Sequence, residues 1–243
     1  MIFQAGGSEA GKQLAAETGE VIFAAEPVLS RAKVFYDDTK SRLAAFGRSP
    51  DDCKICAGLS VLVAPTQAEA EDRFARMEAM VHPDVMRELL SNDLETDLSD
   101  VPIDAQVPMD RLPKEANQHK SFFEKMVAML SEGPMTVRQL YHRFGSERGG
   151  RRLVGSPTMV ADAMEDWFKA GAVDGYMLIF PHPTGMDDFA TLVVPELQRR
   201  GLFRTDYEGV TLRDHLGLRR PPSRYASRVG SASRAEVIAA AAA

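Results

Sequence analysis

Cysteine is nearly missing: Cys53 and Cys56 are the only two in 243 residues, so no disulfide framework staples this chain. No apolar run approaches the roughly 18 to 20 residues that a membrane helix requires. The opening MIFQAGGSEAG has neither the basic n-region nor the apolar h-region of a secretory signal. Together these absences lead to the expectation of a soluble, cytoplasmic protein. An excess of positive charge is lacking too, because 29 Lys and Arg stand against 35 Asp and Glu, a formal charge of −6. Phosphate backbones are bound through a basic face, so nucleic acid is not an expected partner. What is present is ordinary globular material, 44% hydrophobic and 26% charged. That suffices for a sizeable core. The length alone matches one (β/α)8 barrel of about 250 residues.

Turn residues and apolar runs alternate from the start. Ile2-Phe3-Gln4 reads as a strand that runs into Gly6, Gly7 and Ser8. Ser8 suits a helix N-cap, Glu9 complements the positive helix end, and Leu14 is expected to begin the buried face. Gly19 closes that helix before the buried strand Val21-Ile22-Phe23-Ala24. Pro27 opens a longer helix with Leu29, Val34, Leu43 and Phe46 as its candidate inner face, ended by Gly47 and Ser49-Pro50. A third strand spans Lys54 to Val63, and Pro65-Thr66 introduce a third helix up to about Met80. Strict alternation of this kind signals a parallel sheet with helical crossovers.

The alternation breaks between His82 and Gly155. That region holds an acidic, Pro-containing stretch from Asn92 to Pro113, helices around Phe122 to Leu130 and Thr136 to Phe144, and a basic glycine-rich turn, Glu147 to Arg152. A long insertion in a βα array is usually a lid or binding loop. Order returns at Gly155-Ser156-Pro157, where Val160, Ala163, Met164, Trp167 and Phe168 make an apolar stripe at helical spacing. Gly171 ends that helix, Val173 to Phe180 reads as a fourth strand, and Asp187 to Arg200 as its helix. From Gly201 a trailing arm follows, with one short helix near Thr211 to Leu216 and a low-complexity end, Ala239 to Ala243, expected to fray. The chain thus divides into βα units over 1–81, an insertion over 82–155, a final helix–strand–helix over 156–202 and an arm over 203–243. Four βα units are found, whereas a closed barrel needs eight.

Gly6-Gly7-Ser8-Glu9-Ala10-Gly11-Lys12 satisfies the G-x-x-x-x-G-K of a nucleotide-binding P-loop, but Gln13 replaces the hydroxyl that would hold Mg²⁺. The next strand brings no Asp for the metal either. A more general reading remains, in which glycines and a serine at a helix N-terminus hold a phosphate monoester. The alternative is that Ser8 merely caps and the glycines merely turn. Cys53 and Cys56 form a C-x-x-C at the entry to a strand, where the thiols diverge, so packing is expected rather than redox or zinc chemistry. No metal site is expected. His82, His119, His142, His182 and His215 show no ligand spacing. His142, in the insertion, and His182, after the fourth strand, lie where barrel chemistry would use them. The turn Arg148 to Arg152 either grips an anionic substrate group or is solvated.

Gln4 to Gly11 resembles the segment after the fifth strand of the bacterial-luciferase-like flavin monooxygenases. The nearest branch contains the nitrilotriacetate monooxygenases, the pristinamycin synthases and the dibenzothiophene-sulfone monooxygenases. Gly155-Ser156-Pro157 with Val160-Ala161-Asp162, Gly171 to Tyr176, Val194 to Phe203, and Tyr207 to Leu218 match the same branch in order. The resemblance implies an α/β fold, the C-terminal half of a (β/α)8 TIM barrel (strands five to eight) with a long, mostly helical insertion after strand seven. It implies an FMNH2-dependent monooxygenase of a two-component system, supplied by a separate NAD(P)H:flavin reductase, with O₂ as co-substrate and a small organic substrate. Carried over by position, Ser8 with the backbone of Gly7 and Gly6 holds the FMN phosphate. The catalytic residues are assigned to the half that these units do not cover, and an oligomer or a complementary N-terminal half is the expected partner. A non-catalytic flavin- or phosphate-binding or assembly module is the alternative of a different class.

Overall fold

A computed structural model describes residues 1–117, 120–145 and 150–221. Its described residues form two units, Ile2–Asp206 and a smaller one made of Met1 and the chain from Tyr207. In the smaller unit Thr211 caps the short helix Leu212–His215 through a reciprocal capping box with Asp214. The low-complexity end and His119 and Arg148 lie outside the described residues.

The larger unit is built on five parallel strands. They are β1 (Phe3–Ala5), β2 (Val21–Ala24), β3 (Lys54–Val63), β4 (Arg151–Gly155) and β5 (Gly175–Ile179). β3 organises the sheet. Its first half pairs with β2, whose other edge carries β1, and its second half pairs with β4. β5 pairs with Cys56 to Ser60, rows that overlap both of these, so it takes the opposite edge of β3.

Helices α1 (Glu9–Thr18), α2 (Leu29–Arg42) and α7 (Pro157–Lys169) cover one face. Ala15 and Ala16 of α1 pack on Ile22 and Ile55, while Ala32 of α2 and Trp167 of α7 meet at Ala57. Val160, Ala161 and Met164 cover Leu59 and Val61. The expected inner faces need correction here. Leu14, Leu29, Val34 and Phe46 are exposed, Val34 by 69%, and so is Phe168; only Leu43 of the α2 set and Val160, Met164 and Trp167 of the α7 stripe are buried. Alanines let helix backbones approach the sheet closely, so small residues rather than large ones mark the contact faces of α1 and α2.

After β3 the chain enters α3 (Gln67–Ala79), α4 (Pro83–Leu94), α5 (Lys120–Glu132) and α6 (Val137–Gly145). The segment expected to be an insertion has its own core, in which Leu90, Leu94, Leu98, Met126, Val137 and Leu140 are fully or almost fully buried. It is a packed helical layer and not a bare loop. Helix α4 was not foreseen in the sequence, although His82 caps it and Pro83 takes its first position. The expected basic turn is corrected as well: Arg151 and Arg152 begin strand β4. Gly150 makes that docking possible, since it holds φ 106° and a Cβ there would lie 2.2 Å from the Gly58 carbonyl oxygen. Beyond β5, α8 (Gly185–Asp188) continues through a π-helical turn, Phe189–Val193, into α9 (Val194–Arg199). Pro195 cannot donate to the preceding turn, which accounts for the widened ladder. Among the described residues no helix is long and apolar enough to cross a membrane.

At the N-terminal end of the strands, Asp174 joins three elements. One carboxylate oxygen accepts from the Ile55 amide and from Lys40 Nζ, each at 2.8 Å, and the other from the Tyr36 hydroxyl at 2.9 Å. Lys40 also donates to the Cys53 carbonyl at 2.6 Å. Removing one partner from a largely buried ion pair strands the other. Asp174→Ala is therefore expected to lower the unfolding free energy by about 3 kcal/mol. The melting temperature should fall by roughly 6–12 °C. A denaturant or thermal unfolding curve checks this, and a loss below about 1 kcal/mol would contradict the clamp.

Candidate functional site

The C-terminal end of a parallel sheet is where βα folds place their chemistry. The loop there from β1 to α1 is Gly6-Gly7-Ser8. Ser8 takes the N-cap, and its hydroxyl oxygen accepts from the Gly11 amide at 3.1 Å. A Cβ on Gly11 would stand 3.1 Å from the Gly6 carbonyl and 3.2 Å from Ser8 Oγ, so the bare glycine lets the first helical turn close on the loop. Gly6 sits at φ 153°, where L side chains are rare, and a Cβ on Gly7 would meet nothing within 4 Å. Below the loop, Gln4 Nε2 donates to the carbonyls of Ala5 at 3.1 Å and Gly11 at 3.2 Å. Among the described residues, the amides of Gly7, Ser8, Glu9 and Ala10 have no acceptor. Free amides at a positive helix end, an open glycine surface and a hydroxyl with its proton to donate are chemically suited to a small anion.

Lys12 does not belong to that site. Its ammonium contacts Glu9 and lies 2.5 Å from Asp38, and its side chain is only 13% exposed. The hydrogen bonds it donates to Asp38 and Glu9 hold its pKa above the ordinary lysine value. Arg42 completes the network at 2.7 Å from Glu9 and 2.8 Å from Asp38, and with Lys12 it draws the Asp38 carboxyl down to about 2. The network also engages the Glu9 carboxylate, the acidic group nearest the loop. A P-loop lysine must reach the phosphates, so the nucleoside-triphosphatase reading is not supported.

Cys53 is buried and Cys56 is partly so, and both are free. Burial raises both thiol pKa values, Cys56 to about 11. These are packing residues. Among the described residues there is no group of His, Cys, Asp and Glu suited to a metal. The histidines disperse. His82 caps α4, the His215 ring lies 4.5 Å from that of Tyr207, and His182 Nδ1 sits 2.9 Å from Thr184 Oγ1 in the turn after β5. His142 contacts Glu78 on α3, and burial followed by the charge of Arg152 lowers its pKa. The Asp174 cluster was missed in the sequence; its signal was an aspartate directly before a strand. At pH 8 only about one Cys56 thiol in a thousand is ionised at the pKa given above, so the folded protein should be alkylated far more slowly than the unfolded chain. Equal rates in a timed alkylation assay would contradict the burial.

The sequence profile of the luciferase-like monooxygenases matches residues 2–174. Nitrilotriacetate monooxygenase component A of Aminobacter aminovorans is 45% identical over 223 residues, 91% of this chain and 49% of that protein. N-acetyl-S-(2-succino)cysteine monooxygenase of Bacillus subtilis is 41% identical over 229 residues, 93% of this chain and 52% of that protein. Among solved structures, DmoA from Hyphomicrobium sulfonivorans superposes with a TM-score of 0.72 at 29% identity, over 88% of this chain and 45% of that one. Riboflavin lyase RcaE, solved with modified FMN and the substrate riboflavin, gives 0.69 at 29% identity, over 92% of this chain and 48% of that one. The chain spans about half the length of the curated relatives it matches. It belongs to the luciferase-like monooxygenase family.

Proposed function

We propose that residues 1–202 are the C-terminal half of a (β/α)8 barrel, strands five to eight, with the insertion after strand seven. On this reading β1, β2, β3 and β5 are the barrel strands and β4 belongs to the insertion. The complete protein is an FMNH2-dependent monooxygenase of a two-component system, fed with reduced FMN by an NAD(P)H:flavin reductase. When bound, the reduced flavin supplies electrons for O₂ activation and oxygen insertion into a small organic substrate. The observation that carries the reading is the loop Gly6-Gly7-Ser8 with its unengaged amides. Its residues fit the phosphate end of FMN: the amides and the Ser8 hydroxyl donate, and Gly7 leaves room for the oxygens. The match to about half of each relative supports assigning the other barrel units to a complementary half.

This chain's own residues therefore bind and orient the phosphate, while the ring is left for the complementary half to enclose. An open sheet cannot exclude water from a flavin ring, so residues 1–243 alone should give no turnover with reduced FMN and O₂.

A binding or assembly module without catalysis is the second reading. Phe3 on the outer strand β1 and Ile2 just before it are half exposed, and Ile179 on β5 is exposed by 42%, as expected of edges made to pair with another chain. Both readings use the same loop. FMN should bind at least tenfold more tightly than riboflavin, which lacks the phosphate, and Ser8→Ala should remove most of that difference. Fluorescence titration checks this. Equal affinity for the two flavins would overturn the loop assignment.

A further inference from the structure

The sheet has two faces, and the register tells them apart. Ile55, Ala57, Leu59 and Val61 point to the side of α1, α2 and α7. Alternation sends Cys56, Gly58, Ser60 and Leu62 to the other side, where Leu62 packs with Ala70 and Phe74 of α3. Arg152 stands opposite Ser60 in the β3–β4 ladder and so belongs to this second face. Ser60 is also opposite Ile179, the last residue of β5, which puts Arg152 at the C-terminal end of the sheet, the end that carries the Gly6-Gly7-Ser8 loop. Arg151 takes the first face, with its guanidinium 5.2 Å from the Trp167 ring and one N–H donated to the Ala163 carbonyl at 3.2 Å.

Arg152 is held but not satisfied. Its guanidinium lies 4.2 Å from the centre of the Phe74 ring, and its Nη1 is 3.8 Å from Glu78 Oε1, beyond hydrogen-bond reach. Among the described residues nothing accepts from any of its five N–H donors. The side chain is only 22% exposed. Structural arginines in this fold look different. Arg48 donates to the carbonyls of Ala15, Ala16, Gly19 and Asp52, and Arg200 pairs with Asp162, Glu165 and Glu196. None of its nitrogens is fully buried, so a cation held on its apolar side by Phe74 and meeting no protein acceptor among the described residues keeps its fork open to a ligand. Burial lowers the guanidinium pKa, in keeping with the missing partner.

We propose that Arg152 is a specificity-determining residue that receives a carboxylate of the organic substrate in its planar fork. This rests on the reading of the second face as the interior of the barrel. Phe74 fixes the plane of the guanidinium, Glu78 restrains it loosely from one side, and the remaining N–H groups present a bidentate edge to an acid. His142 of α6 contacts the other carboxylate oxygen of Glu78.

The test is calorimetric titration of the chain at low salt with propane-1,2,3-tricarboxylate and with its uncharged triamide. Wild type should bind the acid and not the amide. Arg152→Met, which keeps the apolar stem against Phe74, should weaken acid binding at least tenfold without lowering the melting temperature. Arg152→Lys, a point charge without the fork, should fall between them. The proposal is overturned if wild type fails to bind the acid, if Arg152→Met binds it undiminished, or if that variant mainly loses stability. It is equally overturned if Arg152→Met loses inorganic phosphate or FMN in place of the tricarboxylate, because the fork would then serve the cofactor. Flavin affinity on the same samples reports separately on Ser8, so failure of the loop assignment leaves the Arg152 result readable.

Discussion

The ladder of β3 with three parallel neighbours is the constraint on which the rest of the structure depends. Ten residues long, it alone among the described strands pairs with β2, β4 and β5. Parallel neighbours require crossovers, so every connection from one strand to the next must carry helices across the sheet. The alternation of β3 then decides which helices meet which face. Odd positions receive α2 and α7, and even positions in the second half receive α3. Asp174 fixes the lower end of this arrangement by tying the start of β5 to β3 and α2.

Function follows from direction. Because all strands run the same way, their C-terminal ends share one rim, and the β1–α1 loop opens onto it. The loop gathers donors that the helix cannot use itself, and its glycines keep the approach clear. The nearest charges, Glu9 and Lys12, are bound to each other and to Asp38 and Arg42, so the site is made by backbone dipoles and one hydroxyl. Neutral donors of this kind recognise a phosphate by geometry.

Much of this was legible in the sequence. Gly6-Gly7-Ser8, the strands at Val21–Ala24 and Lys54–Val63, and the Ser156-Pro157 helix start all lie as read, since turn chemistry and capping act locally. The misread residues depend on tertiary contacts. Leu14 and Val34 lost the inner faces to alanines because close helix–sheet approach favours small residues, which hydrophobicity does not weigh. The strand Arg151–Gly155 was hidden by its two arginines, whose charges suggested a solvated turn; stacking on Trp167 and Phe74 lets both enter the sheet. Lys12 matched a motif by spacing, but Asp38, distant in sequence, took its charge. The core of the insertion joins residues from α4, α5 and α6, a pattern that no local window contains.

The loop after β1 is proposed to hold the phosphate of FMN. Amide chemical-shift mapping of the isotope-labelled chain during an FMN titration tests it most directly. The largest shifts are expected on Gly7, Ser8, Glu9 and Ala10, with inorganic phosphate moving the same amides and riboflavin leaving them in place. Shifts centred on other elements, or none at these amides at saturating FMN, would contradict it.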